Sequence, residues 1–291
     1  MPIQGMIPES EIRVISDIFL GSRIISLSEY ESGVEGRIYK IVTENNSFVV
    51  KFYSQTRLLY YPSTIKKVVE LSDYLMFNGI PIPAVYKQSH MNECLCYYHI
   101  NGEQIIPNEK ELYSIALYFK RISECDIPSL KFLPIMSKKT LMQQLYDVES
   151  YEPRHNALLR SELMKLVLNS DNMTISHGDF HHGNMIWNKD HSRFTLIDWD
   201  EALIAPIEYD ISRFFVSHSV YTNIQSANHL LEQCAKLMQV NLMALSFFIH
   251  YNAYYCLIRF KKWKRGFWMN NNYHSNEETK IILETLLEYN C

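Results

Sequence analysis

Residues 177–200 are the stretch that decides the fold, and they read HGDFHHGNMIWNKDHSRFTLIDWD. Polar residues gather at both ends of this stretch, with short apolar, β-prone runs between them. Asp179 and Asn184 lie in the first polar group, and Asp198 follows the second β-prone run, fourteen residues after Asn184. Because strand ends are where a scaffold presents polar groups to a ligand, we expect these three side chains to lie together.

These residue types suit phosphoryl transfer. An aspartate at position 179 would orient the attacking hydroxyl and accept its proton, while Asn184 and Asp198 would hold Mg²⁺ on the phosphates of a nucleotide. Hard oxygen ligands favour Mg²⁺ over softer metals. The alternative is a loop in which aspartate and asparagine only cap turns.

The N-terminal third is rich in β-prone runs and supplies a cation. Lys51 lies in the otherwise apolar run 48–53, where a lysine must face an anion, a carboxylate or solvent. The next predicted helix, residues 63–77, offers Glu70 as its first carboxylate and Asp73 as the second. A strand lysine that pairs with a helix glutamate and reaches the phosphates is the arrangement found in protein kinases.

Two further features complete the layout of the chain. The segment Tyr30 to Gly36 joins two predicted strands and could fold over phosphates, although it lacks a full G-x-G-x-x-G pattern. After Asn101-Gly102 the apolar periodicity is mostly helical, except in residues 173–204. The sequence therefore predicts a small sheet with one helix, a short connector and a helical remainder.

The order and spacing of these pieces resemble the aminoglycoside phosphotransferase/choline kinase family. The matching pieces are Ile38-Tyr39-Lys40-Ile41, Lys51, Gly79-Ile80-Pro81-Ile82-Pro83, Asn101-Gly102, His177-Gly178-Asp179, Asn184, Ile197-Asp198-Trp199-Asp200, Pro206 and Asp210. The resemblance implies an α+β, two-lobed protein-kinase-like fold, with a small β-sheet N-lobe that carries one main helix and a larger helical C-lobe. Residues 1–97 would form the nucleotide-binding lobe, 98–102 the hinge, and 103–291 the lobe with the catalytic loop and the acceptor region.

The resemblance also implies a role for each matching polar residue. They are Asp179 as the catalytic residue, Asn184 and Asp198 as Mg²⁺ ligands, Asp200 as a further metal contact, Lys51 and Glu70 as the phosphate-positioning pair, the backbone of Tyr98 to Ile100 at the adenine edge, and Asp210 as a structural residue. Two acidic residues near the second motif, Glu201 and Glu208, could help to hold a cationic acceptor.

We therefore expect a kinase that uses ATP or GTP with Mg²⁺ and phosphorylates a hydroxyl of an aminoglycoside-type antibiotic or a similar hydroxylated cation. A metabolite kinase with a choline-like, ethanolamine-like or sugar-like acceptor is the alternative. Two rival classes stay open. One is a histidine-rich metallohydrolase built on His177, Asp179, His181, His182 and His191, and the other is a nucleotide-binding protein without catalysis.

Composition limits the partners and the compartment. Lysine and arginine number 28 against 32 for aspartate and glutamate, which gives a net charge of −4 and no general attraction to nucleic acid or anionic lipid. The first ten residues lack the pattern of a secretory signal. The six cysteines are scattered without C-x-x-C spacing, which is typical of reduced thiols. We expect a cytoplasmic enzyme whose partners are a nucleotide and a small acceptor, with no membrane contact and no prediction for its oligomeric state.

Overall fold

The computed structural model describes residues 7–30, 36–55, 64–89, 94–127, 132–168, 173–263 and 276–289. The chain divides into two compact units, Met1–Asn101 and Gly102–Cys291. The boundary falls inside the segment 98–102. The roles assigned to that segment and to the parts on either side stay predictions.

In its described residues, the first unit is a five-stranded antiparallel sheet with two helices. The strands lie in the order β1-β2-β3-β5-β4. Their bounds are β1 (Ile24–Glu29), β2 (Gly36–Thr43), β3 (Ser47–Tyr53), β4 (Val85–Ser89) and β5 (Cys94–Tyr98), and the helices are α1 (Glu9–Ile18) and α2 (Thr64–Phe77).

Alternation along β3 explains how the helices pack. Phe48, Val50 and Phe52 lie on one face, in the buried cluster that includes the apolar side of α1. Tyr53 belongs to a second cluster with Ile65 and Val68 of α2. Lys51 is therefore on the α2 side of the central strand.

The end of α2 follows from one glycine. Gly79 has φ +71°, a conformation that glycine adopts without strain. The N–H of Ile80 then turns back and donates to the carbonyl of Leu75 at 2.9 Å. This cap ends the helix before the proline-containing segment that leads to β4.

The second unit is mostly helical and holds two small antiparallel sheets. Its helices are α3 (Glu109–Ser123), α4 (Lys138–Asp147), α5 (Pro153–Lys165), α6 (Ile207–Tyr221), α7 (Ile224–Leu237), α8 (Leu242–Trp263) and α9 (Asn276–Leu286). Its strands are β6 (Met173–Ser176), β7 (Met185–Trp187), β8 (Phe194–Leu196) and β9 (Leu203–Pro206), with β6 paired to β9 and β7 to β8.

These strands position the polar stretch that opened the sequence analysis. The loop between β6 and β7 carries Asp179 and Asn184, and Asp198 follows β8. Phe180 anchors the loop, because its ring is fully buried and lies 4.6 Å from that of Phe119 on α3. Polar residues on either side of Phe180 are thereby held at the strand ends.

The small sheet with a helix on each face and the mostly helical second unit confirm the predicted α+β class. Within the described ranges, no helix has the length and apolar character needed to cross a bilayer. The cysteines in those ranges, namely Cys94, Cys96, Cys125, Cys234 and Cys256, are free thiols.

Candidate active site

Asp210 holds the backbone of the loop after β6. It lies in the first turn of α6, is buried, and accepts three hydrogen bonds through its carboxylate. The N–H of His177 donates at 2.6 Å, the hydroxyl of Ser176 at 2.9 Å and the N–H of Gly178 at 3.1 Å. Since these contacts are to the chain itself, Asp210 acts as a structural residue of the loop.

His177 connects the two polar groups of the stretch. Its Nδ1 accepts the N–H of Asp179 at 3.2 Å, so the proton of the neutral ring is assigned to Nε2, which lies 2.8 Å from the carbonyl oxygen of Ile197. Burial lowers the pKa of His177, which keeps the ring neutral. His177 therefore links the loop to the residue that precedes Asp198.

Gly178 allows a close approach between the loop and the turn after β8. Its φ is +83°, and a Cβ atom added there would lie 2.3 Å from the carbonyl oxygen of Glu201. An L-residue would meet both the strained backbone and this overlap. Glycine is thus required where the two segments touch.

Asn184 is locked in an orientation that suits a metal ligand. Its side-chain NH₂ donates to the backbone carbonyl of Asp179 at 2.9 Å, and its backbone carbonyl accepts the N–H of Ile197 at 2.8 Å. Because the NH₂ group is used inside the loop, the side-chain oxygen Oδ1 is the atom left for a cation.

Asp198 has an unusual backbone. Its φ of 65° and ψ of 62° place it in the left-handed region, and its side chain is exposed. The next residue, Trp199, is buried and donates its indole N–H to the carbonyl of Leu196 at 2.9 Å. Non-glycine residues at positive φ are uncommon, and they cluster at functional sites. Asp200, by contrast, is buried at 4% exposure.

The carboxylate of Asp179 contacts an arginine and a histidine. Its Oδ1 lies 2.6 Å from Nη2 of Arg213, and its Oδ2 lies 3.4 Å from Nε2 of His181. Burial by itself would raise the pKa of Asp179, but the attraction of the Arg213 guanidinium and the hydrogen bond from His181 outweigh it and lower the pKa well below its usual range. Asp179 is ionised at neutral pH and is a weak base, which favours orienting a hydroxyl over early proton removal.

Lys51 and Glu70 lie on the same unit without forming the expected ion pair. The Lys51 side chain is buried at 8% exposure, and its Nζ lies 5.1 Å from the ring centroid of Tyr53. The carboxylate of Glu70 lies instead 3.7 Å from Nζ of Lys66, one turn earlier on α2. Asp73, the second choice, is exposed.

The segment expected at the adenine edge has one free backbone donor. The N–H of Tyr98 donates to the carbonyl of Ala84 at 3.1 Å, and that of His99 to Ser47 at 2.9 Å. The peptide N–H of Ile100 makes no hydrogen bond within the part of the chain that the structure describes. The N–H of Ile100 is therefore the donor of this segment that the described fold does not use. The loop 31–35, expected to cover phosphates, lies outside the described residues.

The two acidic residues considered for the acceptor differ. Glu201 is exposed on the turn after Asp198. Glu208 is buried and accepts the N–H of Asn241 at 2.7 Å, just before α8, and burial raises its pKa. The contact of Glu208 supports a role in the fold.

The donor set fits Mg²⁺ better than a transition metal. Among the residues described, no three His, Cys, Asp or Glu side chains converge on a common point. Mg²⁺ bound with a nucleotide needs only one or two protein oxygens, since phosphates and water complete its shell. His177 is used inside the loop, and His191 lies 2.8 Å from Glu103 through Nε2. These two histidines of the rival metallohydrolase hypothesis therefore have contacts inside the protein.

Two neighbours of Asp179 have no role in the kinase interpretation of the sequence. His181 enters only as a ligand of the rival metallohydrolase, and Arg213 belongs to no motif. A signal for Arg213 was present, since it is the charged residue of the apolar run 211–216 on α6. A charged side chain in a buried run needs a partner of opposite charge.

Comparisons with known proteins identify the family of the chain. Residues 26–235 match the family described as "Phosphotransferase enzyme family". No curated protein sequence matches the chain.

Solved structures share the fold over nearly the whole chain. Choline kinase LicA from Streptococcus pneumoniae is 13% identical, with a TM-score of 0.70 over 96% of this chain and 99% of that one. The spectinomycin phosphotransferase APH(9)-Ia, in complex with ADP and spectinomycin, is 15% identical, with a TM-score of 0.63 over 98% of both chains. The structure of APH(2")-IIia with GDP and kanamycin is 15% identical, with a TM-score of 0.66 over 95% of this chain and 97% of that one. These likenesses confirm the protein-kinase-like fold.

Proposed function

We propose that residues 177–200 form the catalytic centre of this chain, which belongs to the phosphotransferase enzyme family. The chain is therefore a kinase that phosphorylates a hydroxyl group at the expense of a nucleotide. Asp179 orients the acceptor hydroxyl, and Asn184 and Asp198 hold Mg²⁺ on the nucleotide phosphates. Asp200 stays a candidate for a further metal contact, although its burial argues for a role in the turn.

The hydrogen-bond chain through Asn184 is the observation that carries this proposal. One bond ties the side chain of Asn184 to the backbone of Asp179, and another ties its backbone to Ile197, next to Asp198. Asp179 and Asn184 are therefore hydrogen-bonded to each other, and Asp198 directly follows the residue whose N–H donates to Asn184. A loop that only capped turns would not need to join two separate strand ends in this way.

In the proposed reaction, Asp179 orients the acceptor hydroxyl and the metal ligands hold Mg²⁺ on the phosphates. Asp179, ionised at neutral pH, accepts a hydrogen bond from the acceptor hydroxyl and aligns its oxygen with the γ-phosphorus. When bound, Mg²⁺ neutralises charge on the transferring phosphates. The bond from phosphorus to the β–γ bridging oxygen breaks as the bond to the hydroxyl oxygen forms, and the hydroxyl proton passes to Asp179. Positioning and charge stabilisation supply most of the rate enhancement in such a reaction.

The first unit binds the nucleotide in this proposal. Lys51 meets the α- and β-phosphates, supported by its burial on the central strand β3. The backbone of Tyr98 and Ile100 meets the base, supported by the free N–H of Ile100. Glu70 stays a prediction as the partner of Lys51, since its observed contact is with Lys66. The donor is ATP or GTP, because the similar structures hold ADP or GDP.

The acceptor is a small hydroxylated molecule, and a cationic one is our first candidate. An aminoglycoside-type antibiotic is supported by the similar structures that hold kanamycin and spectinomycin, and by the exposure of Glu201 on the turn that follows Asp198. Glu208 has a structural role in this proposal, because its carboxylate accepts the backbone N–H of Asn241. An amino alcohol such as choline, or a sugar, is the second candidate, supported by the similarity to choline kinase.

The substitution Asp179→Asn tests the proposal. The variant and the wild-type protein are incubated with MgATP or MgGTP and with kanamycin, spectinomycin or choline, and phosphorylated product is measured by mass spectrometry. We expect kcat to fall about 100- to 10,000-fold, with nucleotide affinity within a few-fold of wild type. Asp190→Asn is the control, because Asp190 lies in the exposed turn after β7 and binds Ser192. Full turnover by Asp179→Asn would contradict the assignment.

A further inference from the structure

Two charged residues of helix α6 bind the catalytic loop. Asp210 and Arg213 are three residues apart, so they lie on neighbouring positions of one helix face. Asp210 holds the backbone of His177 and Gly178, as described above. Arg213 holds a side chain, because its Nη2 donates to Oδ1 of Asp179 at 2.6 Å. One helix thus fixes both the path of the loop and the direction of its carboxylate.

We propose that Arg213 is a positioning residue for phosphoryl transfer, and that its guanidinium holds the Asp179 carboxylate in the orientation that the acceptor hydroxyl meets. This inference rests on the proposed role of Asp179. It adds to that role a residue thirty-four positions later in the chain.

The contacts of Asp179 leave room for the acceptor. Its Oδ2 lies 3.4 Å from Nε2 of His181. The other ring nitrogen of His181 accepts the N–H of Gly183 at 3.0 Å, which assigns the ring proton to Nε2 and directs it at Asp179. A carboxylate offers about four lone-pair sites, and these two contacts use two of them. The Asp179 side chain is 21% exposed, so the remaining sites can meet a hydroxyl.

Stability alone does not explain the buried arginine. The Arg213 side chain is 8% exposed, and its neighbours on α6, namely Ile211, Phe214, Phe215 and Val216, are all buried. Replacing a buried ion pair by apolar residues is often neutral or stabilising, because both charges lose their hydration. A short contact from a planar guanidinium does, however, fix the direction of a carboxylate. We therefore explain the burial of the Arg213 guanidinium by its orienting effect on the Asp179 carboxylate.

The substitution Arg213→Lys tests the inference while keeping the charge. An ammonium group cannot reproduce the geometry of a guanidinium, so the carboxylate loses its fixed direction. With MgATP hydrolysis and phosphate transfer to kanamycin, spectinomycin or choline as the readouts, we expect kcat to fall about 10- to 100-fold. The KM for ATP should stay within a few-fold of wild type. A wild-type kcat would overturn the inference.

Arg160→Lys is the matched control. Arg160 lies on α5 and makes an equally short contact, 2.6 Å, with Glu149, away from the loop. This variant should keep the wild-type kcat and should show whether losing a short arginine–carboxylate contact is enough to slow the enzyme. An equal fall in kcat for both variants would show that the effect is structural and would overturn the inference.

Two further measurements separate the possible outcomes. In the Asp179→Asn background, Arg213→Lys should cause no further loss of kcat, because it acts through Asp179, and additive losses would overturn the inference. A crystal structure of Arg213→Lys should show the Asp179 side chain rotated or in several conformers, and one unchanged conformer would likewise overturn it. If Asp179→Asn itself stays active, the proposed function fails. If only Arg213→Lys stays active, the inference alone fails.

Discussion

Replacing Gly178 by alanine measures how tightly the catalytic loop is held against the turn after β8. The backbone at Gly178 has φ +83°, which costs an L-residue about 1–2 kcal/mol. The new Cβ would also lie 2.3 Å from the carbonyl oxygen of Glu201 and 2.9 Å from its carbonyl carbon. Overpacking of this kind costs about 1–3 kcal/mol. Together they predict that Gly178→Ala lowers the free energy of unfolding by about 2–5 kcal/mol.

Gly21→Ala provides a control with the same backbone conformation. Gly21 also has φ +83°, but a Cβ added there meets no atom within 4 Å. It should therefore lose only the conformational part, about 1–2 kcal/mol. Equilibrium urea denaturation of both variants, followed by circular dichroism, gives the two free energies. Their difference isolates the cost of the close approach to Glu201.

The same substitution should slow catalysis. To bring the Cβ–oxygen distance to 3.0 Å, the loop and the turn must separate by about 0.7 Å, which shifts Asp179 relative to Asp198. Displacements near 1 Å cost up to about 100-fold in rate, so we expect kcat of Gly178→Ala to fall about 10- to 100-fold while Gly21→Ala keeps its rate. The reasoning is refuted if Gly178→Ala is no less stable than Gly21→Ala, or if it turns over at the wild-type rate.

Two other predictions concern the metal and the pH dependence of stability. Asp198→Ala should abolish the increase in nucleotide affinity that Mg²⁺ gives, and an unchanged Mg²⁺ titration by calorimetry would contradict this. Burial alone would lower the pKa of His250, but its hydrogen bonds, one of them at 3.1 Å to Glu162, outweigh this and raise the pKa above the ordinary 6.5. Its contribution to stability should therefore be complete below pH 6.5 and disappear as the pH rises through the folded pKa. In urea denaturation at several pH values, His250→Gln should lose this part of the pH dependence. An identical slope of the unfolding free energy against pH in both proteins would contradict the prediction.

The sequence patterns predict the helices and strands closely, because secondary structure depends mainly on residues that are near each other in the chain. The apolar run 48–53 predicts a strand that the structure has as Ser47–Tyr53, and the helix predicted at 63–77 is Thr64–Phe77. Asp179 and Asn184 belong to one short loop, so their proximity also follows from sequence distance. Asp198 is brought near this loop by the antiparallel pairing of β7 with β8, since Asn184 directly precedes β7 and Asp198 follows β8.

The Lys51–Glu70 pair stays a prediction, and the face of α2 that carries Glu70 bears on it. Glu70 is the first carboxylate of the helix, but order along the chain does not say which face of α2 it occupies. Val68, Leu71 and Leu75 are buried and define the inward face, and Glu70 lies at its margin with a side chain 40% exposed. The apolar periodicity contained this answer, because the direction of a helical side chain follows from its angle to the buried face.

Arg213 could not be placed by spacing, because its partner is in another element and thirty-four residues away. Its surroundings were informative all the same. Lys51 in the run 48–53 and Arg213 in the run 211–216 are both charged residues within apolar stretches. Lys51 matches the strand lysine of the kinase arrangement, whereas Arg213 matches no known motif. Since burying a charge is costly wherever it occurs, each such residue deserves the same question about its partner. At Arg213 the partner is the carboxylate on which the proposed chemistry depends.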